Sequence, residues 1–194
     1  MKTDRIILAS ASPRRRELLK QIGLSFEVMP SKKEEKADAD EPARLVEALS
    51  LQKAQDVWEQ AGDAEALVIG ADTVVCCDGK VLGKPKDEED ACRMLSMLQG
   101  RKHQVYTGVT LCFGQEHLTF SECTQVEFYP MSKEDIRFYV STKEPMDKAG
   151  AYGIQGLGAR WVKGVEGDYN NVVGLPVGRL YQEMAACGLT DGDL

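Results

Sequence analysis

Apolar positions along the 194-residue chain alternate between two patterns. Short unbroken runs suit buried strands, and spacings of three and four suit amphipathic helices. Arg5-Ile6-Ile7-Leu8-Ala9 predicts a buried strand, followed by a tight Ser10-Ala11-Ser12 loop. Ser12 is a helix N-cap with Pro13 at the first helical position, and Leu18, Leu19 and Ile22 form an apolar face before Gly23 stops the helix. A charged loop over 31–41 leads to a second helix, from near Pro42 to about Gln60. Leu67-Val68-Ile69 enters a strand that runs through Val75, and Asp78-Gly79 predicts a hairpin turn. Asp87 to Gln99 predicts a helix with an acidic first turn, an Ala91/Met94/Leu95/Leu98 face and Gly100 at its end. Strands follow around 103–113 and 117–129, and Ser132 caps a helix carrying Ile136, Tyr139 and Val140. The Gly-rich stretch 143–158 reads as loop, 160–165 as a strand, and Leu175-Pro176 opens a last helix ending near Gly188. Thr190–Leu194 is expected to be a disordered tail. Helices alternating with hairpins predict an α/β fold on a mixed sheet: one domain over 1–189, undivided or in two lobes around a central cleft.

Composition narrows the function classes. With 43% apolar and 28% charged residues the chain has enough apolar surface for a sizeable core. No run approaches the roughly 18 apolar residues of a membrane span, and no leader-like apolar region follows Met1, so a cytoplasmic protein with no membrane partner is expected. Twenty-four Lys plus Arg against 31 Asp plus Glu give a net charge of −7. That balance argues against a nucleic-acid polymer as partner while leaving room for a local cationic pocket. Six cysteines show neither C-x-x-C spacing nor a Cys/His tetrad, so they read as reduced packing residues rather than disulfides or a structural zinc site.

Three residue groups break the patterns around them. Arg14, Arg15 and Arg16 crowd the first turn of a helix, where exposed amides and the helix dipole favour acids. An anion would resolve that conflict: a strand, a loop of Ala and Ser, free amides and arginines are the parts of a phosphate grip. The motif is not a P-loop, because G-x-x-x-x-G-K-[ST] is missing. Solvated arginines beside an ordinary turn are the bland alternative. Lys53 interrupts the stripe Leu45, Leu49, Val57, as a snorkelling side chain or as an ammonium aimed into a site. Asp72 lies inside the run Val68-Ile69-Gly70-Ala71-Asp72-Thr73-Val74-Val75, where a buried carboxylate needs a partner, structural or functional. Gly83-Lys84-Pro85 adds a cation after the hairpin, and Glu34-Glu35 add carboxylates upstream. Such cations and acids are what a metal-assisted attack on a polyphosphate requires.

These residues resemble the Maf family of nucleoside triphosphate pyrophosphatases. Leu8-Ala9-Ser10-Ala11-Ser12-Pro13-Arg14-Arg15 is similar to its opening signature and Gly70-Ala71-Asp72-Thr73-Val74-Val75 to its central one. Gly83-Lys84-Pro85, Gly108-Val109 and Gly174-Leu175-Pro176 keep the family's order, so the likeness covers about residues 5–187. The resemblance implies a single α/β domain on an elongated mixed sheet flanked by helices, similar to the inosine triphosphate pyrophosphatase fold. It also implies a homodimer, a divalent cation (Mg2+ or Mn2+) and hydrolysis of a nucleoside triphosphate to the monophosphate and pyrophosphate. Carried over by position, Asp72 is the proton acceptor. Ser10, Arg14, Arg15, Lys53 and Lys84 contact phosphate, and Glu35 joins Asp72 at the metal. Members often read Asp-Val-Asp-Glu where this chain has Lys32-Lys33-Glu34-Glu35.

The stretch Gly150-Ala151-Tyr152-Gly153-Ile154-Gln155-Gly156 resembles the subgroup acting on dTTP and UTP, with Arg14, Thr73 and Gln155 at the positions linked to substrate choice. A glutamine amide offers a donor and an acceptor, matching the O4 and N3–H edge of uracil or thymine. Asp168-Tyr169-Asn170-Asn171 is a polar stretch that either closes over the nucleotide or is only a turn. The expected activity is therefore dTTP/UTP pyrophosphatase, extending to modified pyrimidine nucleotides. The rivals are the same chemistry on another nucleotide such as 7-methyl-GTP, a nucleotide-binding regulator of septum formation, and a nucleotidyltransferase.

Overall fold

In the computed structural model, which describes residues 5–34, 37 and 39–190, the apolar runs become strands of one mixed sheet. These are β1 (Ile6–Leu8), β2 (Glu27–Val28), β3 (Leu67–Cys77), β4 (Lys80–Leu82), β5 (Lys102–Phe113), β6 (Glu116–Phe128) and β7 (Val162–Glu166). Their order is β2-β1-β3-β5-β6-β7, with β4 also paired to β3. The helices are α1 (Pro13–Gln21), α2 (Pro42–Ala61), α3 (Glu88–Leu98), α4 (Lys133–Ser141), α5 (Tyr169–Val173) and α6 (Val177–Ala186). The α/β class and nearly every element follow the sequence pattern. Among the described residues no helix is long and apolar enough to cross a membrane, and all six cysteines are free thiols.

The chain divides into two compact units. The first comprises Met1–Asp72, Thr107–Glu122 and Gly174–Leu194. Here β1 lies parallel to both β2 and β3, with Ile7 opposite Glu27 on one side and Val68 on the other. α2 packs on this region through Ala54 and Val57 against Ile7, Ala9, Ala66, Val68 and Cys112. Two glycines let the helix backbone rest on the strands. A methyl group added at Gly70 would lie 2.4 Å from the Ser50 carbonyl oxygen, and one at Gly108 would lie 2.2 Å from that of Val46. Atoms do not approach that closely, so each position must lack a side chain.

The second unit comprises Thr73–Tyr106 and Cys123–Val173. Val75, Leu95, Leu98, Val105, Val126, Phe128, Tyr139 and Trp161 are buried together in its core. Asp78 and Gly79 both take positive φ (51° and 72°), the conformation of a tight hairpin turn, and set β4 antiparallel to β3. Ser132 and Asp135 form a reciprocal capping box at the start of α4.

Three departures have local causes. β2 is two exposed residues, too short and too polar to carry a period. The expected loop over 143–158 is largely organised into 3-10 turns at Glu144–Asp147, Ala149–Ala151 and Leu157–Trp161. The polar stretch 168–171, offered as a cover for the nucleotide or a simple turn, instead starts α5. Its Asn171 is fully buried and donates from Nδ2 to the Val105 carbonyl and to Thr124 Oγ1, both at 3.0 Å. That side chain is a structural tie.

Candidate functional site

The site residues of the first unit gather around the N-terminus of α1 and the end of its β3 segment. Ser12 caps α1, Pro13 occupies its first position, and no acid stands in the first turn. Ser10 is buried, and its Oγ accepts from the Ser12 amide (3.3 Å) and from Arg15 Nη1 (3.2 Å). Arg15 also donates from Nη1 to the Ala71 carbonyl (2.9 Å) and from Nε to the Gly174 carbonyl (2.8 Å). One planar guanidinium therefore fastens the loop after β1, the residue before Asp72 and the Gly174-Leu175-Pro176 turn. Arg14 is half-buried beside it.

The two remaining anomalies of this unit answer each other. Gly70 and Asp72 stand two apart on β3 and so share a face. Gly70 touches α2 at Ser50 and Ala54, and Asp72 meets Lys53 on that same turn of the helix. Lys53 Nζ donates to Asp72 Oδ1 at 2.5 Å, with side chains only 15% and 12% exposed. Each part-buried charge thus has an opposite partner.

A second carboxylate on α2 organises the segment ahead of it. Asp56 is buried, and its Oδ2 accepts from Ser31 Oγ (2.7 Å) and the amides of Lys32 (2.9 Å) and Lys33 (3.3 Å). The Ser31 hydrogen bond and, against the opposing effect of burial, the two amides hold this carboxyl below its usual range. Gln52 Nε2 donates to the Glu34 carbonyl at 3.2 Å, bringing Glu34 to α2 at the residue before Lys53. Glu35, the other expected metal acid, lies outside the described residues.

A divalent ion that arrives with a triphosphate needs one or two protein carboxylates, because phosphate oxygens and water supply the rest. Asp72, a hard oxygen donor beside a cation, fits that requirement. Among the described residues no group of three or more His, Cys, Asp or Glu forms a complete protein cage.

In the second unit, Thr73 is half-buried and Lys84 is exposed in the turn after β4. The neighbouring Gly83 carbonyl accepts from the Gly150 amide at 3.1 Å. Gln155 is exposed, whereas Ala151, Tyr152, Gly153 and Ile154 before it are buried. Two side chains that sequence reasoning assigned to a helix face and a loop hold this segment. Tyr139 and Glu144 bond to each other and to the amides of Gly153, Leu157 and Gly158. The signal in the sequence was the glycine spacing at 150, 153, 156 and 158, which marks close backbone approaches.

Comparison with known proteins gives a consistent result. The chain is 54% identical over 203 residues to "dTTP/UTP pyrophosphatase" of Agathobacter rectalis, covering 96% of this chain and 98% of that one. It is 52% identical over 186 residues to the protein of the same name from Carboxydothermus hydrogenoformans, covering 95% and 99%. Among solved structures it is similar to the Staphylococcus aureus Ham1 protein, at 17% identity and a TM-score of 0.48 over 64% of this chain and 72% of that one. The family model described as "Maf-like protein" matches residues 5–187, and with relatives half identical over nearly their full length, the chain belongs to the Maf family.

Proposed function

We propose that this protein hydrolyses dTTP and UTP between the α and β phosphates, releasing the nucleoside monophosphate and pyrophosphate. The names of its half-identical relatives support the substrate class. The observation that carries the chemistry is the part-buried Lys53–Asp72 pair. In this reading a triphosphate draws the Lys53 ammonium toward its own oxygens, which leaves Asp72 to take the proton of the attacking water. Arg14, Arg15, Ser10 and the first amides of α1 offer donors to the phosphates, and Lys84 supplies a further cation. Thr73 and Gln155 are the residues we assign, with Arg14, to the choice of base. A divalent cation, Mg2+ or Mn2+, would be held by Asp72 and, following the family resemblance, Glu35; when bound it neutralises phosphate charge. The same resemblance supports a homodimer.

The test is Asp72→Asn, assayed by pyrophosphate release from dTTP and UTP with and without divalent metal. Turnover is expected to fall about 10²-fold or more with the circular dichroism spectrum unchanged. Near-normal turnover would remove Asp72 as the base. Equal rates of the unmodified protein across pyrimidine and purine triphosphates would remove the substrate assignment. Nucleotide binding without pyrophosphate release would favour a regulator.

A further inference from the structure

The backbone around Gln155 is held by a clamp that the proposed reaction does not use. Tyr139, on α4, is fully buried; its hydroxyl donates to Glu144 Oε1 at 2.8 Å and accepts from the Gly153 amide at 3.0 Å. Glu144 accepts from the Leu157 amide on Oε2 (3.0 Å) and from the Gly158 amide on Oε1 (3.2 Å). One phenol and one carboxylate therefore fix three amides, on both sides of Gln155 in the chain. Burial opposes the charge on Glu144, but the Leu157 amide, the Tyr139 hydroxyl and the Gly158 amide outweigh it and hold its carboxyl below the ordinary range.

The glycines show how closely the backbone lies on this clamp. A methyl group at Gly156 would sit 2.5 Å from the Glu144 carboxylate, and one at Gly158 would sit 2.6 Å from the Tyr139 hydroxyl. Upstream, Gly150 and Ala151 take φ of 69° and 60°, and Ala151 is fully buried. A left-handed residue that carries a Cβ persists only where its surroundings over-determine it. The Gly150 amide also bonds to the carbonyl of Gly83, next to Lys84. The chain is thus fixed from Gly150 to Gly158 while the Gln155 side chain stays open to a ligand.

We infer that Tyr139 and Glu144 are positioning residues for base selection, holding the 150–158 backbone so that the Gln155 amide meets the pyrimidine edge at a set height and angle. This rests on the proposal that Gln155 reads the base. A donor–acceptor pair discriminates between bases only when held to about half an ångström, and an exposed side chain owes that precision to its backbone.

The test compares Tyr139→Phe and Glu144→Gln, each in the native and in a Gln155→Ala background. kcat and KM are measured for UTP and GTP, together with the melting temperature. Phenylalanine leaves the Gly153 amide without its acceptor, and glutamine turns an NH2 toward an amide donor. The UTP-over-GTP preference is expected to fall about tenfold in either variant, as the loss of roughly one neutral hydrogen bond to the base predicts. The loss should lie in KM for UTP, with kcat nearly unchanged, and should vanish in the Gln155→Ala background. An unchanged preference beside a lowered melting temperature would make the clamp merely structural and overturn the inference. So would a full effect that persists without Gln155. Should Gln155→Ala alone leave the preference intact, the base-reading role of Gln155 fails first and the inference falls with it.

Discussion

Gly70 sets the distance between the two charges of the candidate catalytic pair, and replacing it with alanine measures how much that distance matters. The added methyl would stand 2.4 Å from the Ser50 carbonyl oxygen, 2.8 Å from Ala54 Cβ and 2.9 Å from the Ala54 amide nitrogen. Ordinary contact begins near 3.4 Å, so α2 must lift from β3 by about 1 Å at the turn that carries Lys53. Overpacking of this kind costs about 1–3 kcal/mol, which urea unfolding resolves. Lys53 and Asp72 are joined at 2.5 Å, and a shift of about 1 Å in a reacting group costs on the order of 10²-fold in rate. Gly108→Ala is the control. Its methyl would meet the Val46 carbonyl at 2.2 Å, on the same helix but two turns before Lys53. Both variants should lose comparable stability, and Gly70→Ala should lose far more turnover in a pyrophosphate-release assay. Equal activity losses would mean that α2 loosens as a whole. Full activity in a destabilised Gly70→Ala protein would show that the spacing does not govern the pair.

Two further perturbations test other parts of the structure. His103 is fully buried, with Nε2 2.8 Å from the Tyr152 hydroxyl, and burial pushes its pKa down from 6.5 to about 4. The unfolded chain takes up this proton first, so the stabilisation is complete above pH 6.5 and is lost as pH falls toward 4, a change of about 3 kcal/mol. His103→Gln should flatten the slope of unfolding free energy between pH 7 and 4.5; parallel slopes for the two proteins would refute the assignment. Arg15→Lys replaces a fork that reaches Ser10, the Ala71 carbonyl and the Gly174 carbonyl with a single ammonium. It should cost about 1–2 kcal/mol and raise KM for the nucleotide, read by thermal melting and steady-state kinetics; wild-type values for both would contradict the fastening role of Arg15.

What the sequence reveals of this site depends on whether a residue breaks a local rule. Lys53 in an apolar stripe and Asp72 in a buried run both did so, which made each visible, but that they answer one another is a contact between a helix and a strand. Arg15 was visible as a misplaced cation at a helix start. Its hold on two backbone carbonyls was not, because carbonyls carry no sequence signal. Tyr139 obeys the helix pattern, which marks it only as a position on the apolar face with Ile136 and Val140. Glu144 fell in a stretch without period, and its role emerges only with the amides of Leu157 and Gly158 around it. Gly70 and Gly108 could be read as motif letters, yet their purpose depends on the helix lying above them.

Asp56 carries a consequence for how Glu34 would meet a ligand held beside Lys53. By holding Ser31 and the amides of Lys32 and Lys33, it ties the chain to α2 just before Glu34, and the chain joins the same helix again at Pro42. Residues 31–34, tied to one rigid element, have settled their ordering entropy during folding rather than on binding. A ligand held beside Lys53 would therefore meet Glu34 as an intramolecular partner, at an effective concentration of about millimolar or more for so short a tether. Even a weak contact from Glu34 would then add to affinity as if the acid were already in solution at high concentration.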